Sequence, residues 1–160
     1  MSYPMEDHSN DGAIPGSPQT IGQSQSFRIK RSGARPLKFT GSELAMAMSF
    51  TPDCPYWYEI NLYRTTDSRF VVAVRLFHQS EDATDTIEAA QFDALEDALW
   101  HIETYDAAND LTVPMHQDPS DVSSAELAAS AMELRSMIKI ARHHYQSLAG
   151  EFLSEIELAA

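Results

Sequence analysis

The run Trp57–His78, WYEINLYRTTDSRFVVAVRLFH, limits the fold more than any other part of the chain. Successive side chains of a β-strand point to opposite faces, so a period of two gives each strand two distinct faces. Tyr58, Ile60 and Leu62 share one face of the first strand, and Trp57, Glu59, Asn61 and Tyr63 share the other. In the second strand Phe70, Val72, Val74 and Leu76 stand opposite Val71, Ala73, Arg75 and Phe77. The polar stretch Thr65-Thr66-Asp67-Ser68 joins them with the length of a hairpin loop. Ile60, Leu62, Val72 and Val74 are the core candidates. The face holding Trp57, Tyr63, Arg75 and Phe77 has two readings. It is covered by a helix or a second subunit, or it is a platform on which bases stack, with arginine adding a cation–π contact.

The flanking segments extend this hairpin into an α+β domain over residues 27–106. An antiparallel sheet of about four strands with one packed helix is expected. Phe27 and Ile29 alternate with Arg28 and Lys30 in a short edge strand, and Leu37 and Phe39 resume the alternation after Gly33 and Pro36. Residues 42–49 alternate as a strand, with a bulge expected near Gly41, although their Ala, Met, Leu and Glu are also good helix formers. Residues 84–92 are the weakest strand pattern. Asp93 and Glu96 have capping-box spacing for a helix running to about Asp106, with Leu95, Ala98, Leu99 and Ile102 on its buried face.

Outside this domain the composition changes. Residues 1–26, rich in Pro, Gly, Ser, Gln and Asn, have no apolar period and read as a disordered tail. Residues 107–122 read as an acidic linker with Pro114 and Pro119. Ser123 and Glu126 then open a long helix over residues 123–158. Its apolar positions, Leu127, Ala131, Leu134, Ile138, Ala141, Tyr145, Leu148 and Phe152, are spaced alternately by four and three residues. That is the a/d seam of a helix that packs along one partner, so a coiled coil and a homo-oligomer are expected. The bland alternative is that the helix folds back over its own sheet. The order of strands and helix is similar in layout to the WGR-type nucleic-acid-associated domains, but the Trp-Gly-Arg element is absent and the likeness is one of layout alone.

The charge is unevenly placed. Of a net −13, residues 81–121 contribute twelve acids and no lysine or arginine, while residues 27–40 hold Arg28, Lys30, Arg31, Arg35 and Lys38 and no acid. Such asymmetry bears on partners, not on fold. The basic arm is a candidate contact for nucleic-acid phosphates. The acidic block is a candidate surface for a basic protein.

The motifs of nucleotide binding, of α/β-hydrolase nucleophiles and of zinc sites are missing from the sequence, and no cofactor or metal is expected. Cys54, in a loop with Asp53 and Glu59 as its nearest charges, reads as a spectator thiol. His143-His144 point about 100° apart on a helix, and Asp97 with His101 reads as part of a charged outer face. A lone cysteine fits a reducing, cytoplasmic compartment, with neither a signal peptide nor a membrane helix expected.

The expected function is therefore that of a non-enzymatic interaction or regulatory protein. It self-associates through its last helix and presents an acidic surface to a basic protein partner. Two alternatives are an acidic nucleic-acid mimic that inhibits a nucleic-acid-binding enzyme, and a nucleic-acid binder using the basic arm and the aromatic face.

Overall fold

The computed structural model describes residues 22–111 and 123–159. Its strands are β1 (Gln25–Arg31), β2 (Ala34–Met48), β3 (Tyr56–Thr65), β4 (Phe70–His78) and β5 (Thr86–Phe92). Helix α1 (Leu95–Thr104), a 3-10 turn (Ala107–Asp110) and helix α2 (Ser124–Ala159) follow. The strands form one antiparallel meander in the order β1-β2-β3-β4-β5. The α+β class is as expected, with five strands where about four were anticipated. Residues 37–39 and 42–48 belong to one 15-residue strand, because the chain bends without breaking its pairing.

The bend is at Gly41. This residue pairs with Gln25 of β1 on one side and with Thr65 of β3 on the other. Residues 34–41 of β2 serve β1, and residues 41–48 serve β3. A Cβ at Gly41 would lie 2.1 Å from the Arg64 carbonyl oxygen, inside the contact distance of any side chain. The absence of a side chain is therefore what allows the two strands to approach. The bulge falls a little beyond the expected place, between Glu43 and Ala45, and turns Leu44 outward. Pro36 sits where the β1–β2 register shifts, and so costs no ladder hydrogen bond in the regular part of the strand.

Both faces of the sheet are covered, by different elements. On the first, Tyr58, Ile60, Leu62, Val72, Val74 and Leu76 pack with Ala98 and Ile102 of α1 and with Ala141, Tyr145, Leu148 and Phe152 of α2. Each fully buried apolar side chain of this kind is worth roughly 1.5–3 kcal/mol. On the second face, Ile29, Tyr63, Val71, Ala73 and Ala89 form a smaller cluster with Phe27, Leu37, Phe39 and Ile87. The β1–β2 hairpin thus folds over β3–β5 as a flap. Ser32 ties the flap to the far edge, its amide donating to the Ile87 carbonyl at 2.8 Å and its hydroxyl accepting from the Ile87 amide at 2.9 Å.

Several boundaries differ from the expectation. Strand β1 starts at Gln25, inside the expected tail, and residues 1–21 lie outside the described residues. Ala107–Asp110 is ordered against the core rather than part of a linker, with Ala107 buried; residues 112–122 lie outside the described residues. Helix α1 is capped at Ala94 with no side-chain cap, so Asp93 is not its N-cap; it lies 3.5 Å from Arg69 instead. The second capping box is present: Ser123 Oγ accepts from the Glu126 amide at 3.2 Å, and Glu126 Oε2 accepts from the Ser123 amide at 2.9 Å. Among the described residues no helix is long and apolar enough to cross a membrane.

Gly41→Ala is expected to destabilise the fold by at least about 2 kcal/mol, because the methyl meets backbone and not a movable side chain. Chemical denaturation measures this. A loss below half that value would show that β2 can bend without the close approach.

Candidate interaction surface

Helix α2 is 36 residues long, about 54 Å, and the sheet beneath it covers only part of that length. The seam divides accordingly. Ala141, Tyr145, Leu148 and Phe152 are buried in the first core. Leu127, at 49% exposure, and Ala131 are open to solvent, while Leu134 and Ile138 are half-buried and belong to neither apolar cluster. Met132, Met137 and Ile140 are also exposed on this half of the helix. The reading of a helix folded back over its own sheet therefore holds for the second half of the seam, from Ala141 onward.

The point where α2 leaves the domain is held by polar contacts. Tyr145 is fully buried, and its hydroxyl donates to the Ile102 carbonyl. Ile102 lies in the last turn of α1, where carbonyls have no helical partner, so the tyrosine satisfies an acceptor that burial would otherwise leave unpaired. Burial pushes the Tyr145 hydroxyl pKa well up, which keeps the donor protonated. One turn earlier in α2, Arg142 forms a two-pronged pair with Asp106, both contacts at 2.8 Å. The hydrogen bonds from Arg142, helped by the Ala108 amide, lower the Asp106 carboxyl to about 2. Nearby, Tyr58 and Tyr105 both donate to Asp110. Burial still raises the Asp110 pKa, outweighing these two donors.

Tyr63 is not available for stacking on the second sheet face. Tyr63 is only 4% exposed, with its ring 4.8 Å from Phe27 and 5.3 Å from Phe39. Arg75 is half-buried and donates to Asn61. Asn61 in turn donates to Glu43 at 3.0 Å and to Glu59 at 3.2 Å. Loss of solvent raises the Glu43 pKa against the lowering effect of Asn61. Trp57 and Phe77 lie 5.6 Å apart at the other end of this face, with Phe50 edge-on to Trp57 at 5.1 Å, all at least partly accessible. What covers Tyr63 within the chain is the apolar underside of the basic arm and not α2.

The arm's cations consequently lie on the outside of the flap. Arg28 pairs across the strands with Lys38, and these two with Lys30 and Arg35 are exposed. Arg31 is half-buried and donates to the Arg35 carbonyl at 2.6 Å. The fold brings the five together in one hairpin and separates them from the aromatic residues with which a base-stacking reading combines them.

Part of the acidic block is gathered on α1. Glu96, Asp97 and Glu103 are exposed on this helix, and at their centre stands Trp100, 65% exposed. Sequence reasoning passed over Trp100. It falls outside the buried stripe Ala98–Ile102, and that offset was the available signal. His101 turns inward to Glu88, 3.2 Å away, and to the Phe92 ring, rather than pairing with Asp97. Among the described residues no group of three or more His, Cys, Asp or Glu is placed to hold a metal. No protein-family model, no curated protein and no solved structure matches the chain.

Tyr145→Phe is expected to cost about 1–2 kcal/mol, the penalty for a buried acceptor left without its donor. A change under half a kcal/mol on denaturation would mean that the Ile102 carbonyl finds another partner. The Asp106–Arg142 pair has a defined pH window. A carboxyl held below its ordinary value of 3.8 stabilises fully above that pH and loses the contribution as pH falls to about 2. The stability difference between the parent and Arg142→Gln should therefore be constant from neutral pH to about 4 and vanish near 2. A difference that persists at the acid end would assign the effect to packing of the arginine stem.

Proposed function

We propose that the protein is a non-enzymatic interaction or regulatory protein. It self-associates through the exposed half of α2 and presents its acidic block to a basic protein partner. One observation carries the self-association: the seam keeps its spacing from Leu127 to Phe152, yet its own sheet takes only the residues from Ala141 onward. The first 17 residues of the helix, about 25 Å, repeat an a/d pattern whose partner lies outside the core. A second copy supplies that partner with the same pattern and in the geometry of an isologous contact.

The position of the acids supports the second half of the reading. Seven of them, Glu81, Asp82, Asp85, Asp93, Glu96, Asp97 and Glu103, are exposed on the loop before β5, the junction after it and α1. A protein segment suits this surface better than mimicry of a nucleic acid, because the exposed indole of Trp100 among the carboxylates has no counterpart in a phosphate backbone. The lone thiol, Cys54, fits a reducing, cytoplasmic setting.

Light scattering on the parent chain should give a multiple of 17.9 kDa. The double substitution Leu127→Asp and Leu134→Asp should reduce it to one chain, with stability at low concentration changed by less than about 0.5 kcal/mol because neither residue is in the core. A parent that is monomeric throughout the micromolar range would sink the self-association.

A further inference from the structure

We infer that the outer face of α1 centred on Trp100 is a docking site for an arginine-bearing apolar segment of a partner protein. This rests on the reading of the acidic block as a partner-facing surface, and adds the residue that would organise it. Residues three and four apart on a helix are neighbours on its surface. Glu96, Asp97 and Glu103 are four before, three before and three after Trp100, so the three carboxylates border one indole. Among the described residues none of the three is in an ion pair. Among the described residues the ring makes no stacking contact with another aromatic.

Chemistry selects the occupant. An exposed tryptophan is the commonest kind of interface hot spot, and it needs apolar area from its partner. The indole face also attracts a cation, and the surrounding carboxylates raise the local concentration of cations. Arginine meets both demands better than lysine. Its planar guanidinium lies flat on the ring while its edge donates to Glu96 or Glu103, whereas an ammonium is a compact and strongly hydrated point charge. A phosphate-bearing or acidic partner is excluded by like charge. The basic flap of the same chain is engaged over the opposite face of the sheet.

Two peptides of equal length, one repeating Arg-Ala-Leu and the other Lys-Ala-Leu, test this by calorimetry on the full chain at physiological salt. The arginine peptide is expected to bind about tenfold more tightly than the lysine peptide. Trp100→Ala should abolish that preference, and Trp100→Phe should retain part of it. Because the ring is largely in solvent, both variants should keep the parent's circular dichroism and its mass. The inference is overturned if neither peptide binds, if the two bind equally, or if Trp100→Ala keeps the parent's affinity for the arginine peptide. Equal binding that weakens with salt would leave the acidic surface as a partner site while removing Trp100 from it. The mass of the unsubstituted chain reports on self-association independently of all these outcomes.

Discussion

The close approach at Gly41 sets the arrangement of everything else. Because β2 can pass against β3 without a side chain between them, a single strand serves two pairings and turns through the bend. The β1–β2 hairpin is thereby carried over one face of the sheet, where Phe27 and Phe39 close on Tyr63. The helices are left the other face. A flat five-stranded sheet would have left one of these apolar faces to be covered by a second chain. Here the chain covers both faces itself.

The helix side is tied together by polar groups at its margins as much as by its apolar centre. Tyr145 reaches across to a carbonyl that the end of α1 leaves unpaired, and Arg142 grips Asp106 at the start of the 3-10 turn. Asp110, on the same turn, receives two tyrosine hydroxyls. These contacts fall within one turn of the place where α2 parts from the sheet. The helix is thus fixed in direction at its point of departure, and the half beyond it extends at a defined angle. For an associating helix that fixed direction reduces the ordering cost of meeting a partner.

Much of this was legible in the sequence because period-two and heptad patterns report burial directly. The β3–β4 hairpin, the capping box at Ser123 and the core role of Ile60, Leu62, Val72 and Val74 all follow from local spacing. What stayed hidden depended on distance in the chain. Nothing near Gly41 announces that Arg64 will lie against it. Alternation cannot say that the underside of the basic arm covers Tyr63, since an apolar strand face reads the same whichever element seals it. Asp93 illustrates a different failure: it has the residue type and the spacing of a cap, yet Arg69 draws its side chain and α1 begins two residues later. The heptad seam is regular from Leu127 to Phe152, but its spacing alone does not say which of its residues the chain's own sheet buries.

The division of that seam follows from size. A sheet strand of nine or ten residues, such as β3 or β4, is about 30 Å long, and a helix crossing the sheet is covered for less than that. A helix of about 54 Å must therefore project beyond the sheet it packs on. An ordinary globular chain would end the apolar pattern where coverage ends and turn the projecting part polar on all sides. This chain does the opposite, placing Leu127, Leu134 and Ile138 at the same spacing as the buried Ala141 and Tyr145. That region balances Arg135 and Lys139 with Glu126 and Glu133, whereas α1 carries Glu96, Asp97 and Glu103 and no lysine or arginine. The apolar spacing of α2 therefore continues beyond the reach of the sheet on which the helix packs.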